Sequence, residues 1–130
     1  MYTEIKDGAN GRLDVADLLG KLNQFKDDEK IEFSNGKFLD GDYGSYRGYY
    51  DDIYFEYSYE DNGYNTIGNF KKIIYKALEE GVMEGYKGGD FSIDESTFTW
   101  LSTYGSSEGY EIIDVREIDG IIFVIVDKES

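Results

Sequence analysis

Apolar residues at Val15, Leu18, Leu19, Leu22 and Phe25 recur with the i, i+3, i+4, i+7 spacing of a helix that buries one face. Asp14 is placed to cap that helix by accepting from the free N–H groups of the first turn, and Asp17 sits where the helix dipole favours negative charge. A second stripe, Ile67, Phe70, Ile73, Ile74, Ala77 and Leu78, predicts a helix over residues 66–80. Asn65 or Thr66 can cap its start, and Gly81 can close its end in a left-handed conformation. Between the two the period drops to two: Ile53, Phe55, Tyr57 and Tyr59 alternate with Tyr54, Glu56 and Ser58, which predicts a strand.

Shorter signals fill the rest. Ile31-Glu32-Phe33 reads as a strand, and Asn35-Gly36 as a hairpin returning through Lys37, Phe38 and Leu39. Residues 40–50 are too rich in glycine for a regular element and too aromatic for a solvated linker, so an ordered loop is expected there. Strands are expected over 90–94 and 97–104, and a closing hairpin over 110–116 and 121–126, turning at Asp119-Gly120. Tight hairpins join antiparallel neighbours. The order therefore predicts an α+β fold with an antiparallel sheet, both helices on one face, and a C-terminal β-hairpin.

At 130 residues the chain fits one domain, residues 1–130. It has no Cys and no His, which removes disulfides, thiol nucleophiles, Ser-His-Asp chemistry and histidine metal ligation. Residues 40–51 place acids as a calcium loop would, but Ser45 stands where the turn needs Gly and Gly44 where an oxygen is needed. The 28 acidic residues guarantee that some carboxylates lie close together, so a pair by itself identifies no acid/base centre. No catalytic residue, metal or cofactor is assigned, and an enzyme is not expected.

The net charge of −15 opposes direct binding to nucleic acid or an anionic membrane. No apolar run reaches the ~18 residues of a spanning helix, and no leader pattern opens the chain. Thirteen Tyr and eight Phe point to a folded chain despite that charge. They also exceed what one small core hides, so a homodimer or larger assembly is expected.

Two loops gather the remaining chemistry. Arg47 lies among Tyr46, Tyr49 and Tyr50, Lys87 lies beside Tyr86 between glycines, and Trp100 follows further on. A guanidinium can grip a phosphate with two parallel hydrogen bonds, and a Tyr or Trp face can stack on a base for about 1–3 kcal/mol. These seven residues are the candidate ligand-binding set. Two alternatives stay open: Arg47 can pair with Asp51 or Asp52 as scaffolding, and Trp100 can belong to the core. Asp51-Asp52 and Glu79-Glu80 are expected to be solvated.

The strings GSYRGYYDD at 44–52 and GYKGGDF at 85–91, followed by Thr99-Trp100 and a closing hairpin, resemble small accessory proteins of tailed bacteriophages. The resemblance covers about residues 13–126. It implies expression in the cytoplasm of a bacterial host and a role outside the virion, with inhibition of host immunity as the leading expectation. One strategy is a non-catalytic sponge that sequesters a nucleotide immune signal, such as a cyclic nucleotide or a cyclic ADP-ribose type molecule. The other is an acidic decoy that occupies the nucleic-acid channel of a host CRISPR effector or nuclease. The paired loops favour the sponge, with Arg47 and Lys87 on phosphates and the rings on a base or ribose.

Overall fold

A computed structural model describes residues 12–45, 52–84, 90–103 and 109–128. Helix α1, Val15–Leu22, starts at Asp14, whose Oδ1 accepts from the Asp17 N–H at 2.8 Å. Helix α2, Ile67–Glu80, starts at Thr66, whose hydroxyl accepts from the Asn69 N–H at 3.1 Å. It stops at Gly81, which has φ +72°. Both caps satisfy N–H groups that have no partner inside the helix.

Eight strands accompany them: β1 (Ile31–Phe33), β2 (Phe38–Ser45), β3 (Ile53–Ser58), β4 (Val82–Glu84), β5 (Asp90–Ser92), β6 (Thr99–Ser102), β7 (Tyr110–Ile118) and β8 (Ile121–Lys128). β4 and β5 form a separate antiparallel ribbon, and the other six make one sheet in the order β1-β8-β7-β6-β3-β2. The fold is α+β, but the sheet is mixed, which corrects the antiparallel expectation. β1 runs parallel to β8, and β3 runs parallel to β6. The chain between β3 and β6 passes through α2 and the ribbon, a connection long enough to return in the same direction.

The expected hairpin at Asn35-Gly36 is a turn without strand pairing. The Gly36 N–H donates to the Phe33 carbonyl at 2.9 Å, yet β1 and β2 lie at opposite ends of the strand order. The backbone explains the difference. Among the described non-glycine residues only Asp119 has a positive φ, so Ser34 and Asn35 lack the twist that keeps two strands together across a tight turn. Asp119 (φ +55°) and Gly120 (φ +84°) have it, and there β7 and β8 pair from Ile118 opposite Ile121 onward.

This turn forces the sheet to curl. Six flat strands would set β1 about 24 Å from β2, whereas the link from Phe33 to Phe38 reaches at most about 18 Å when extended. The two edges therefore approach each other, and Asn65, which is buried, fastens them. Its carbonyl accepts from the Ile31 N–H of β1, and its side-chain Oδ1 accepts from the Leu39 N–H of β2, each at 3.0 Å. Its Nδ2 donates to Asp61 at 3.2 Å.

One buried cluster joins Leu18 and Leu22 of α1, Ile67, Phe70 and Ile74 of α2, and Phe33, Phe55, Leu101, Ile112 and Val124 of the sheet. The Phe70 ring meets Phe55 edge-on at 5.1 Å and lies 6.0 Å from Phe33. β2 extends into residues 40–45, where a loop was expected, with an irregular register between Leu39 and Tyr43. Two of its glycines give room to rings. A Cβ on Gly41 would stand 2.9 Å from Tyr64, and one on Gly44 would stand 2.8 Å from Tyr54. Among the described residues, no helix is long and apolar enough to cross a membrane.

Asp114 ties α1 to the sheet. It meets Lys21 at 3.1 Å and Arg116 at 2.7 Å and accepts from the Val115 N–H at 2.8 Å. Burial works to raise its pKa, but the hydrogen bonds from Arg116, Lys21 and the Val115 N–H, together with the Lys21 charge, outweigh it and leave the carboxyl below its ordinary value. A depressed pKa in the folded state gives stability that is complete above the unfolded value near 3.9 and is lost as pH falls through the folded one. Asp114→Asn is therefore expected to be less stable than the parent at pH 7. The gap should close in acid-unfolding curves recorded from pH 5 downward.

Candidate functional site

Strand directions collect a set of aromatic and basic side chains at one end of the curled sheet. β3 and β6 end there, β7 begins there, β8 ends there, and the chain enters β2 there. Tyr57 and Tyr59 come from the end of β3, Tyr110 from the start of β7, Lys128 from the end of β8, and Lys37 stands just before β2. Lys37 Nζ lies 4.4 Å from the Tyr59 ring centroid. Tyr59 is 5.9 Å from Tyr57, and Tyr57 is 6.2 Å from Tyr110, both tilted edge to face. Lys128 Nζ lies 5.3 Å from the Tyr110 centroid. The result is a row of three rings with an ammonium at each end.

One end of the row is open to solvent, while Tyr57 and Tyr110 are half-buried against the core. Tyr59 is 71% exposed. Burial raises the Tyr57 pKa, and Tyr59 and Tyr110 push it the same way against a hydrogen bond from Thr103, so this phenol stays neutral through the physiological range. Electron-rich ring faces suit cations and stacked rings alike. Among the described residues neither Lys37 nor Lys128 makes an ion pair, whereas Arg12, Lys21, Lys71 and Arg116 each do.

Beside this end, between the edges of β1 and β2, a cavity of about 330 Å³ opens. Lys30 and Lys37 line it from its two sides, with Gly36 at the turn and Asn65 at the fastening point. Another open depression of about 560 Å³ lies along Leu78, Ile93, Asp94, Glu95 and Ser96, and among the described residues no cation lines it.

Of the seven residues singled out in the sequence, Tyr46, Arg47, Tyr49, Tyr50, Tyr86 and Lys87 lie outside the described residues. The seventh, Trp100, is fully buried, and its Nε1 donates to Asp52 Oδ2 at 2.8 Å. A ring so enclosed offers no face for stacking, and the interior alternative is the one realised. Asp52, expected to be solvated, is 7% exposed and also lies 3.7 Å from Arg12, whose guanidinium reaches Glu111 at 3.6 Å and covers the Phe98 ring. Glu80 accepts from the Tyr43 hydroxyl; burial first, then that bond and the Glu80 charge, push the Tyr43 pKa well above a phenol's usual value.

The ring row was missed because its five members are scattered from residue 37 to residue 128 and no local motif links them. One signal was available: the closing hairpin brings the start of one strand, Tyr110, beside the end of the next. Comparison with protein-family models, with curated proteins and with solved structures gives no match.

Proposed function

We propose that this chain is a non-catalytic binding protein that captures a nucleotide-type ligand on its tyrosine–lysine row. In keeping with the resemblance to small phage accessory proteins, it would act in the cytoplasm of a bacterial host as a sponge for a nucleotide immune signal. The row itself carries the reading. A stacked base needs an exposed ring, phosphates need cations, and the row supplies Tyr59 and two lysines in a chain whose net charge of −15 otherwise repels anions. Nothing in this role requires a bond to be cleaved. Affinity would come from stacking and two local charges, so it should fall only gently with salt. Assembly as a homodimer or larger would place two rows in one particle.

The test is thermal-shift screening followed by calorimetry with cyclic dinucleotides, cyclic trinucleotides and cyclic ADP-ribose isomers, with light scattering of the free and loaded protein. Tyr59→Ala is expected to weaken a bound ligand by about 5- to 150-fold, the equivalent of one lost stacking contact. Because Tyr59 is exposed, the melting temperature should not move. Absence of binding by every member of the panel would overturn the reading. The net charge favours a second reading, an acidic decoy for a nucleic-acid-binding host protein, and capture of a host nuclease or CRISPR complex would support it.

A further inference from the structure

We propose that the cavity between β1 and β2 is a phosphate subsite, so that the ligand is a nucleotide whose base lies on the ring row and whose phosphoryl group enters the open seam of the sheet. The inference rests on the binding role proposed above and adds the direction and chemical class of the ligand.

Three observations converge on it. Lys30 precedes β1 and Lys37 precedes β2, so two lysines line one cavity from opposite edges of the sheet. Neither makes an ion pair among the described residues. Two carboxylates also line the cavity, so the lysines, and not the net charge of the lining, must hold the phosphate. Asp61 accepts from the Gly63 N–H at 3.0 Å and from Asn65 Nδ2, and Glu32 is the exposed middle residue of a strand whose neighbours are buried. At Gly36, with φ +79°, nothing lies within 4 Å of where a Cβ would stand, so an incoming group meets bare backbone.

Size and continuity set the class of ligand. About 330 Å³ lies at the small end of ligand pockets, enough for a phosphoryl group with part of a sugar and too little for a whole dinucleotide. Lys37 belongs to the cavity lining and to the ring row at once, because its ammonium stands over Tyr59. A ligand anchored by phosphate at Lys30 and Lys37 therefore meets Tyr59 next. A charged oxygen that accepts from an ammonium group makes hydrogen bonds about twice as strong as neutral ones, so the phosphate should contribute measurably to affinity.

Calorimetry with the four ribonucleosides, their 5′-mono- and diphosphates, and inorganic phosphate alone tests this on the full chain. The phosphorylated forms are expected to bind on the order of tenfold or more tighter than the matching nucleosides. Lys30→Gln should abolish that advantage while leaving nucleoside affinity unchanged, and Tyr59→Ala should weaken nucleoside and nucleotide together. Lys30 is exposed, so an unchanged melting temperature will show that the variant is folded. Equal affinity for nucleoside and nucleotide, or a Lys30→Gln protein that keeps the phosphate preference, would overturn the subsite and leave ring binding standing. Failure of nucleosides and nucleotides alike would overturn both.

Discussion

Phe70→Ala is expected to destabilise the fold by about 3–5 kcal/mol, the range found for removing a large buried aromatic side chain. Phe70 is among the largest fully buried side chains, and its ring touches both Phe55 of β3 and Phe33 of β1. Those two strands lie near opposite ends of the strand order, so this one side chain of α2 supports the curl from within. Truncation would lose the transferred area, two ring contacts and the packing around them, and the rigid strands on either side leave little scope for collapse. Domains of this size have about 5–15 kcal/mol in total, so the variant should retain a folded population with a much lower denaturant midpoint. Phe70→Leu should recover most of the loss because it refills most of the volume. Equilibrium urea unfolding decides the matter: a Phe70→Ala midpoint within error of the parent would mean that this ring does not support the curl.

The parts of this fold that are legible in the sequence are those decided within a few residues. Asp14, Thr66 and Gly81 delimit their helices by local hydrogen bonds and local backbone angles, and the buried stripes of α1 and α2 are the apolar stripes of the sequence. Asp119-Gly120 specifies its hairpin for the same reason. Strand order is a different matter. β1 finds its parallel partner β8 about ninety residues away, and no periodicity in either strand encodes that choice. The turn at Asn35-Gly36 was misread because the sequence alone does not say which residues of the turn take positive φ, and that angle separates a tight hairpin from a splayed one.

The candidate site was illegible for a related reason. Counting outward from Asp119-Gly120 pairs Asp114 with Ile125 and would pair Tyr110 with Glu129. An extra residue between Ile112 and Asp114 shifts the register, so Tyr110 stands opposite Lys128 instead. A carboxylate beside the ring row would oppose an anionic ligand, and an ammonium favours one. The bulge thus sets an ammonium-bearing residue opposite Tyr110. The glycine-rich stretch misled differently: residues 40–45 were expected to form a loop, but they continue β2, where Gly41 and Gly44 leave room for the Tyr64 and Tyr54 rings.

Asn65→Asp is expected to lower stability by on the order of 3 kcal/mol at neutral pH, and to regain most of that loss in acid, because the substitution buries a charge beside a like charge. The new carboxylate could still accept from the Leu39 N–H, but its second oxygen would face Asp61 at the 3.2 Å where an N–H now donates. Two carboxylates that close cannot both remain ionised, so one pKa of the pair rises above the unfolded value. A raised carboxyl pKa makes the penalty largest at high pH; it shrinks as pH falls through the folded value and vanishes below the unfolded one near 3.9. Asn65→Ala separates the two contributions. It removes the acceptor for the N–H of the fully buried Leu39 and should cost about 1–3 kcal/mol with no comparable pH dependence. Urea unfolding of both variants and the parent between pH 4.5 and 8 would show a converging curve for Asp and a parallel one for Ala. Asp and Ala curves that stay parallel to each other would mean that the side chain at position 65 does not face the Asp61 carboxylate. With the fastening loosened, the cavity lined by Lys30 and Lys37 loses one wall, and the phosphate preference proposed for it should weaken together with stability.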